Sequence, residues 1–190
     1  MFNFNPFYVV IGLALFLVLY FVYVFNDLIR KRERVKVASS SIEVMLKMRA
    51  DLVPNLVEVV KGYASHEKEV LEKVTEARTK ILEAKTVKEG LEADNMLTSA
   101  LKTLFAVAEN YPDLKANQNF LELQRQLTDV EDKIQASRRF YNAVVQEYNS
   151  SLKIFPNFII ASMFGFKEEE YFEVTQEEKE LIQKPPEVKF

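Results

Sequence analysis

Between Phe7 and Phe25 the chain offers an unbroken apolar run, FYVVIGLALFLVLYFVYVF, and no Asp, Glu, Lys or Arg occurs before Asp27. As a helix this run would reach about 28 Å, close to the roughly 30 Å thickness of bilayer hydrocarbon. Fourteen of its residues are Leu, Ile, Phe or Val. At about 0.3 to 0.6 kcal/mol each they favour insertion by roughly 4 to 8 kcal/mol. A cleaved signal peptide would need a basic n-region, a shorter apolar core and a small-residue cleavage site, and none of these is present. The expectation is an uncleaved membrane anchor over residues 1–27, with Tyr8, Tyr20 and Tyr23 suited to the two interfaces.

Orientation follows from RKRERVK, residues 30–36, which places Arg30, Lys31, Arg32, Arg34 and Lys36 directly after the span. The positive-inside bias puts the N-terminus outside and the rest in the cytoplasm. The net charge of −3 argues against a broad field for nucleic acid. The absence of Cys excludes disulfides, thiolate nucleophiles and thiolate metal sites.

With only four Gly and six Pro, the chain has the composition of long helices. Breaks are expected at DLVPN, where Pro54 either opens a new helix or kinks a continuous one. A second is expected at Thr86, whose spacing from Glu89 is that of a capping box, and a third at YPDLKAN, where Asn117 can start the next helix. The segments are then roughly 28–51, 54–85, 87–110 and 117–152. The second carries Val60, Tyr63, Val70, Val74, Ala77 and Ile81 at helical spacing, and Gly62 reads as a point of close packing. The third carries Leu97, Leu101, Leu104, Ala108 and Tyr111. The fourth runs Phe120, Leu123, Leu127, Val130, Ile134, Ser137, Tyr141, Val144 and Tyr148. Such stripes with short loops predict an all-α fold: an N-terminal transmembrane helix followed by an antiparallel four-helix bundle over 28–152. A helical hairpin completed by oligomerisation is the alternative.

A polar stripe flanks the last long helix: Gln124, Thr128, Glu131, Gln135, Arg138, Asn142 and Asn149. Amides in line with one acid and one base suggest hydrogen bonds to a neighbouring helix, with Arg49, Arg78 and Glu58 as candidate partners for Glu131 and Arg138. Tyr141 and Tyr148 would bury their rings and keep each hydroxyl bonded. Beyond Ser151, Pro156 opens a short helix within 153–166 whose Phe158, Ile159, Ile160, Met163 and Phe164 are too apolar for water. It would pack on the bundle end, on another subunit or into lipid, and Gly165 would end it. The acidic tail 167–190 has a disordered composition, although YFEV and EVKF could pair as strands.

RADLVPNLVEVVKGYASHEKEVLEKVTEAR, YPDLKANQNFLELQRQLTDVEDKIQASRRFYNAVVQEYN, FPNFIIASMFGFKEEEYF and the closing EVKF together resemble the LemA family of bacterial membrane proteins. The resemblance implies a single N-terminal span and a cytoplasmic helical bundle. It implies no catalytic set, because the family has no established reaction, and some of its members are tied to shaping intracellular membranes.

The residues agree on chemistry. His66 is the single histidine, so neither a di-iron nor a zinc site can be assembled. Ser65 beside it points about 100 degrees away on a helix, and no glycine belongs to a phosphate-binding loop. An enzyme would require a polar pocket joining Glu131, Arg138, Tyr141 and His66. The expectation is therefore a non-enzymatic scaffold or interaction module without cofactor, metal or small-molecule substrate. Its partners would be the bilayer and a second copy or another membrane protein. Its interaction residues would be Glu131, Arg138, Tyr141, Asn142, Tyr148, Asn149, Phe158, Ile159, Met163 and Phe164. Membrane shaping by the apolar C-terminal helix is the alternative.

Overall fold

A computed structural model describes residues 6–172, and no strand occurs among them. The fold is all-α, as the periodicity requires. Six helices follow in order: α1 (Pro6–Lys61), α2 (Lys68–Glu83), α3 (Val87–Ala108), α4 (Pro112–Lys115), α5 (Gln118–Lys153) and α6 (Asn157–Met163).

The apolar N-terminal run and the first helix of the body are one rod. α1 runs for 56 residues straight through Pro54, a length of about 84 Å. Its first part, up to Tyr20, is exposed on all sides, whereas from Val24 onward Leu28, Val35, Ala38, Ile42, Leu46, Val53, Leu56 and Val60 are buried. Exposed apolar side chains on every face followed by a one-sided stripe fit the passage from a membrane anchor to a packed helix. At Pro54, of the two readings, that of one continuous helix holds and that of a new helix does not.

α1 ends later, in a turn over Gly62 to Glu67. There the Gly62 and Tyr63 N–H groups donate to the carbonyls of Val59 and Val60, tightening the last turn. Gly62 thus marks a chain reversal and not close packing. The expected helix 54–85 is two helices, and its stripe changes phase across the turn: Tyr63 is exposed and Leu71 is buried beside Val74, Ala77 and Ile81.

The other boundaries follow local chemistry. Thr86 accepts from the Glu89 N–H at 3.2 Å, while Glu89 Oε2 accepts from the Lys85 N–H at 2.8 Å. Asn117 caps α5 by accepting from the Phe120 N–H at 3.0 Å. Each cap satisfies N–H groups that a helix start leaves without partners.

α5 runs antiparallel to α1 along most of the body. Glu147 meets Lys31 and Arg34, Glu131 meets Arg49, and Asn117 Nδ2 donates to the Tyr63 hydroxyl, so the two helices are read in opposite directions in steady register. The shorter α2–α3 hairpin packs against the distal half of this pair. Its near end stands level with Leu46, where a Cβ added to Gly90 would lie 2.9 Å from Leu46 Cδ1. Toward the anchor α1 and α5 continue as a pair, burying Leu28, Val35, Ala38 and Ile42 on one side and Tyr141, Val145, Tyr148 and Leu152 on the other.

After α6 the chain reverses at Gly165, whose φ of +69° is the left-handed geometry that glycine adopts without strain. The Phe166 N–H reaches back to the Ala161 carbonyl at 2.9 Å, closing a Schellman turn. Residues 167–172 then run extended along α5. Of the proposed strand segments, Tyr171 and Phe172 are extended without forming a strand. The remainder, including EVKF, lies outside the described residues.

Candidate functional site

Two polar arrangements are built on α5. The first is a buried ion cluster. Arg49 on α1 is only 1% exposed. Its Nη1 donates to Asp94 Oδ1 at 2.7 Å and to Thr98 Oγ1 at 2.9 Å, both on α3, and its Nη2 donates to Glu131 Oε2 on α5 at 3.0 Å. Thr98 Oγ1 also donates to Glu131 Oε1 at 3.4 Å. Three helices are thereby joined through one guanidinium, whose planar fork can serve several acceptors at once.

Burial pushes the Asp94 carboxyl above its ordinary range, and Arg49 only partly opposes the shift. A cleft of about 300 Å³ opens beside the cluster, lined by Thr98, Phe105, Leu127 and Glu131. Arg49 Nη1 and Nη2 both bond carboxylate oxygens of the cluster, while Arg49 Nε is buried without a hydrogen-bond partner among the described residues; groups that bond one another in this way have the arrangement of a brace.

Glu131 thus finds a basic partner on another helix, and among the expected candidates the partner is Arg49. Arg78 turns instead to a backbone carbonyl of α1. Arg138 is buried, with Nη1 donating to Gln135 Oε1 at 3.1 Å, and its charge is a minor opponent of the rise that burial imposes on the Asp94 carboxyl.

The second arrangement is an amide ladder. Asn149 Nδ2 donates to the Glu169 carbonyl at 2.8 Å, and Asn149 Oδ1 accepts from the Glu169 N–H at 2.9 Å. Asn142 repeats the pattern on Phe172, with both bonds at 2.9 Å. A carboxamide presents a donor and an acceptor side by side, as a peptide unit does, so each asparagine acts as one rung of a β-ladder. The spacing is commensurate: seven helical residues rise about 10.5 Å and three extended residues about 10 Å. The Tyr141 hydroxyl donates to the Glu170 carbonyl at 3.1 Å, and its ring stacks on Phe172 at a centroid distance of 4.2 Å.

Glu131 of this edge meets a neighbouring helix through Arg49, while the partner of Asn142 and Asn149 is an extended strap of the same chain. Its extended conformation leaves backbone groups unpaired, and the carboxamides supply what a second strand would.

Burial raises the pKa of Tyr141, with Glu169 and Glu170 adding to the effect, and burial likewise raises that of Tyr148. Both phenols hold their protons at neutral pH. His66 is exposed in the α1–α2 turn, not mid-helix. Glu131, Arg138, Tyr141 and His66 are thus not gathered in one pocket. Phe158, Ile159 and Met163 on α6 and Phe164 at its C-terminal cap are all exposed.

Sequence reasoning passed over Asp94 and Thr98. The signal was present: Asp94 continues the buried phase of Leu97, Leu101 and Leu104, and Arg49 that of Ile42, Leu46, Val53 and Leu56. Charged residues at core positions on two helices are natural partners for each other.

An apolar N-terminal rod continuous with a braced helical body defines a membrane-associated, all-α protein. The chain belongs to the LemA family, whose model matches residues 38–190. It is 32% identical over 141 residues to Protein LemA of Metamycoplasma hominis, covering 73% of this chain and 64% of that protein. It is 27% identical over 175 residues to Magnetosome protein MamQ 2 of Paramagnetospirillum magneticum, and 26% identical over 174 residues to Magnetosome protein MamQ of Magnetospirillum gryphiswaldense. Each of those two alignments covers 78% of this chain and 64% of the relative. The chain therefore spans just under two thirds of the length of the curated relatives it matches.

Proposed function

We propose that this protein is a non-enzymatic scaffold of the inner membrane, crossing it once with its N-terminus outside and its helical body in the cytoplasm, and self-associating there. The observation that carries the reading is the unbroken α1. A helix without a hinge passes the orientation of the span directly to the body, which suits a part that holds partners in fixed geometry. The basic run Arg30 to Lys36 supports the cytoplasmic placement.

On the outer face of α1, opposite its buried stripe, Val37, Val44 and Met48 are exposed at helical spacing. They form a seam fit for the same seam on a second copy, with another membrane protein as the rival occupant.

The test is oxidation of the Val44→Cys chain in intact membranes, followed by light scattering on the detergent-extracted protein. Cross-linked dimers and a particle larger than one chain are expected. A strictly monomeric particle with no co-purifying partner overturns the proposal. Membrane shaping through the apolar C-terminal helix is the second reading, and the packing of Phe164 on Phe21 and Phe25 favours it.

A further inference from the structure

The stretch IFPNFIIASMFGF, residues 154–166, contains no charged side chain and is bounded by Lys153 and Lys167. One face of α6 is spent on the body, with Ile160 and Ala161 buried. The other is open: Phe155 is 74% exposed and Met163 64%, and Ile154, Phe158 and Ile159 are exposed with them. A contiguous apolar patch of this kind marks a contact surface.

Its position says what covers it. The Phe164 ring lies 5.7 Å from that of Phe21 and 4.8 Å from that of Phe25, and the Phe166 ring lies 5.9 Å from Phe25. Phe21 and Phe25 belong to the last turns of the span. The first charged residue, Asp27, comes only about 9 Å of helical rise after Phe21. That is within the roughly 5 to 10 Å over which interfacial helices sink into the boundary between headgroups and acyl chains. The patch is thus continuous with the lipid-facing surface of α1. Arg30 and Arg34 extend exposed side chains at the same end, suitably placed for lipid phosphates.

We infer that residues 154–164 are a second lipid contact, lying in the leaflet nearest the helical body with Phe155, Phe158, Ile159 and Met163 among the acyl chains. The body is then held at two points, the span and α6, and its tilt on the membrane is set. The inference rests on α1 crossing the bilayer, but not on self-association.

The chain has no cysteine, so one introduced thiol reports alone. Nitroxide labels at Ile159→Cys and Met163→Cys are compared with Phe16→Cys in the span and Lys73→Cys on α2. The full-length protein is placed in vesicles of phosphatidylcholine and phosphatidylglycerol. Labels at 159 and 163 should collide freely with oxygen and be at least about tenfold less accessible to an aqueous nickel chelate than the label at 73. Nickel accessibility equal to that at 73 overturns the inference. Shielding from both reagents also overturns it, because protein would then cover the patch. The label at 16 reports on the span separately, so a failed anchor is distinguished from a solvent-facing α6.

Discussion

Arg78 on α2 donates its Nε–H to the carbonyl oxygen of Ala50 on α1 at 3.0 Å. In an uninterrupted helix that carbonyl would accept from the N–H of residue 54, and residue 54 is proline. The cation of a neighbouring helix therefore fills the vacancy that Pro54 creates, and α1 continues where its sequence alone would allow it to stop.

The two residues should be energetically coupled. Arg78→Met is expected to destabilise the body by about 1 to 3 kcal/mol, the cost of a buried acceptor left without a donor. In a Pro54→Ala background the restored N–H serves Ala50, and the cost of Arg78→Met should shrink. A double-mutant cycle by urea unfolding of the detergent-solubilised chain reads the difference.

The ion cluster makes a larger prediction. Asp94→Ala leaves Arg49 buried with Glu131 as its remaining carboxylate and should cost about 3 to 5 kcal/mol. A loss under about 1 kcal/mol in thermal or urea unfolding, the size of an exposed pair, would contradict the burial of this network.

The same carboxyl sets a pH dependence. Its pKa is raised in the folded chain above the ordinary 3.8, so the folded state binds the proton more tightly than the unfolded one. Stability from this group is therefore present at low pH and lost as pH rises from 3.8 through the folded pKa. Asp94→Asn should remove that part of the slope, and unfolding curves of both proteins between pH 3 and 7 would measure it.

The strap depends on its rungs. Asn142→Ala or Asn149→Ala removes two hydrogen bonds to one backbone residue, at about 1 to 3 kcal/mol of local stability. Amide exchange at Phe172 should accelerate in the first variant and at Glu169 in the second, with the core of α5 unchanged.

Gly165→Ala places a side chain at φ +69°, which costs about 1 to 2 kcal/mol in the left-handed region. Because this turn aims the strap, faster exchange at both Glu169 and Phe172 is expected from the single change.

Parts of this structure are legible in local chemistry. Thr86 and Asn117 cap helices because a hydroxyl or carboxamide three residues before an N–H suffices to make the bond. The stripe Leu97, Leu101, Leu104 identifies the inner face of α3 without reference to any other helix. The turn at Gly62 was not legible, since the apolar spacing runs on through Tyr63 and nothing there forbids a helix. Asn142 and Asn149 were visible as an unusual edge, but a carboxamide pairs equally well with a helix side chain or an extended backbone.

The long apolar N-terminal helix and the all-α character of the described residues were determined by the sequence itself, because insertion energy and helical periodicity are sums over neighbouring residues. Tertiary structure alone decided that Arg49 meets Asp94 and Glu131, that Arg78 covers for Pro54, that Glu169 and Phe172 lie on α5, and that Phe164 rests on Phe21 and Phe25. Each of these joins residues at least twenty apart in the chain, and their meeting depends on how the separate helices and the strap pack on one another, which no sum over neighbouring residues contains.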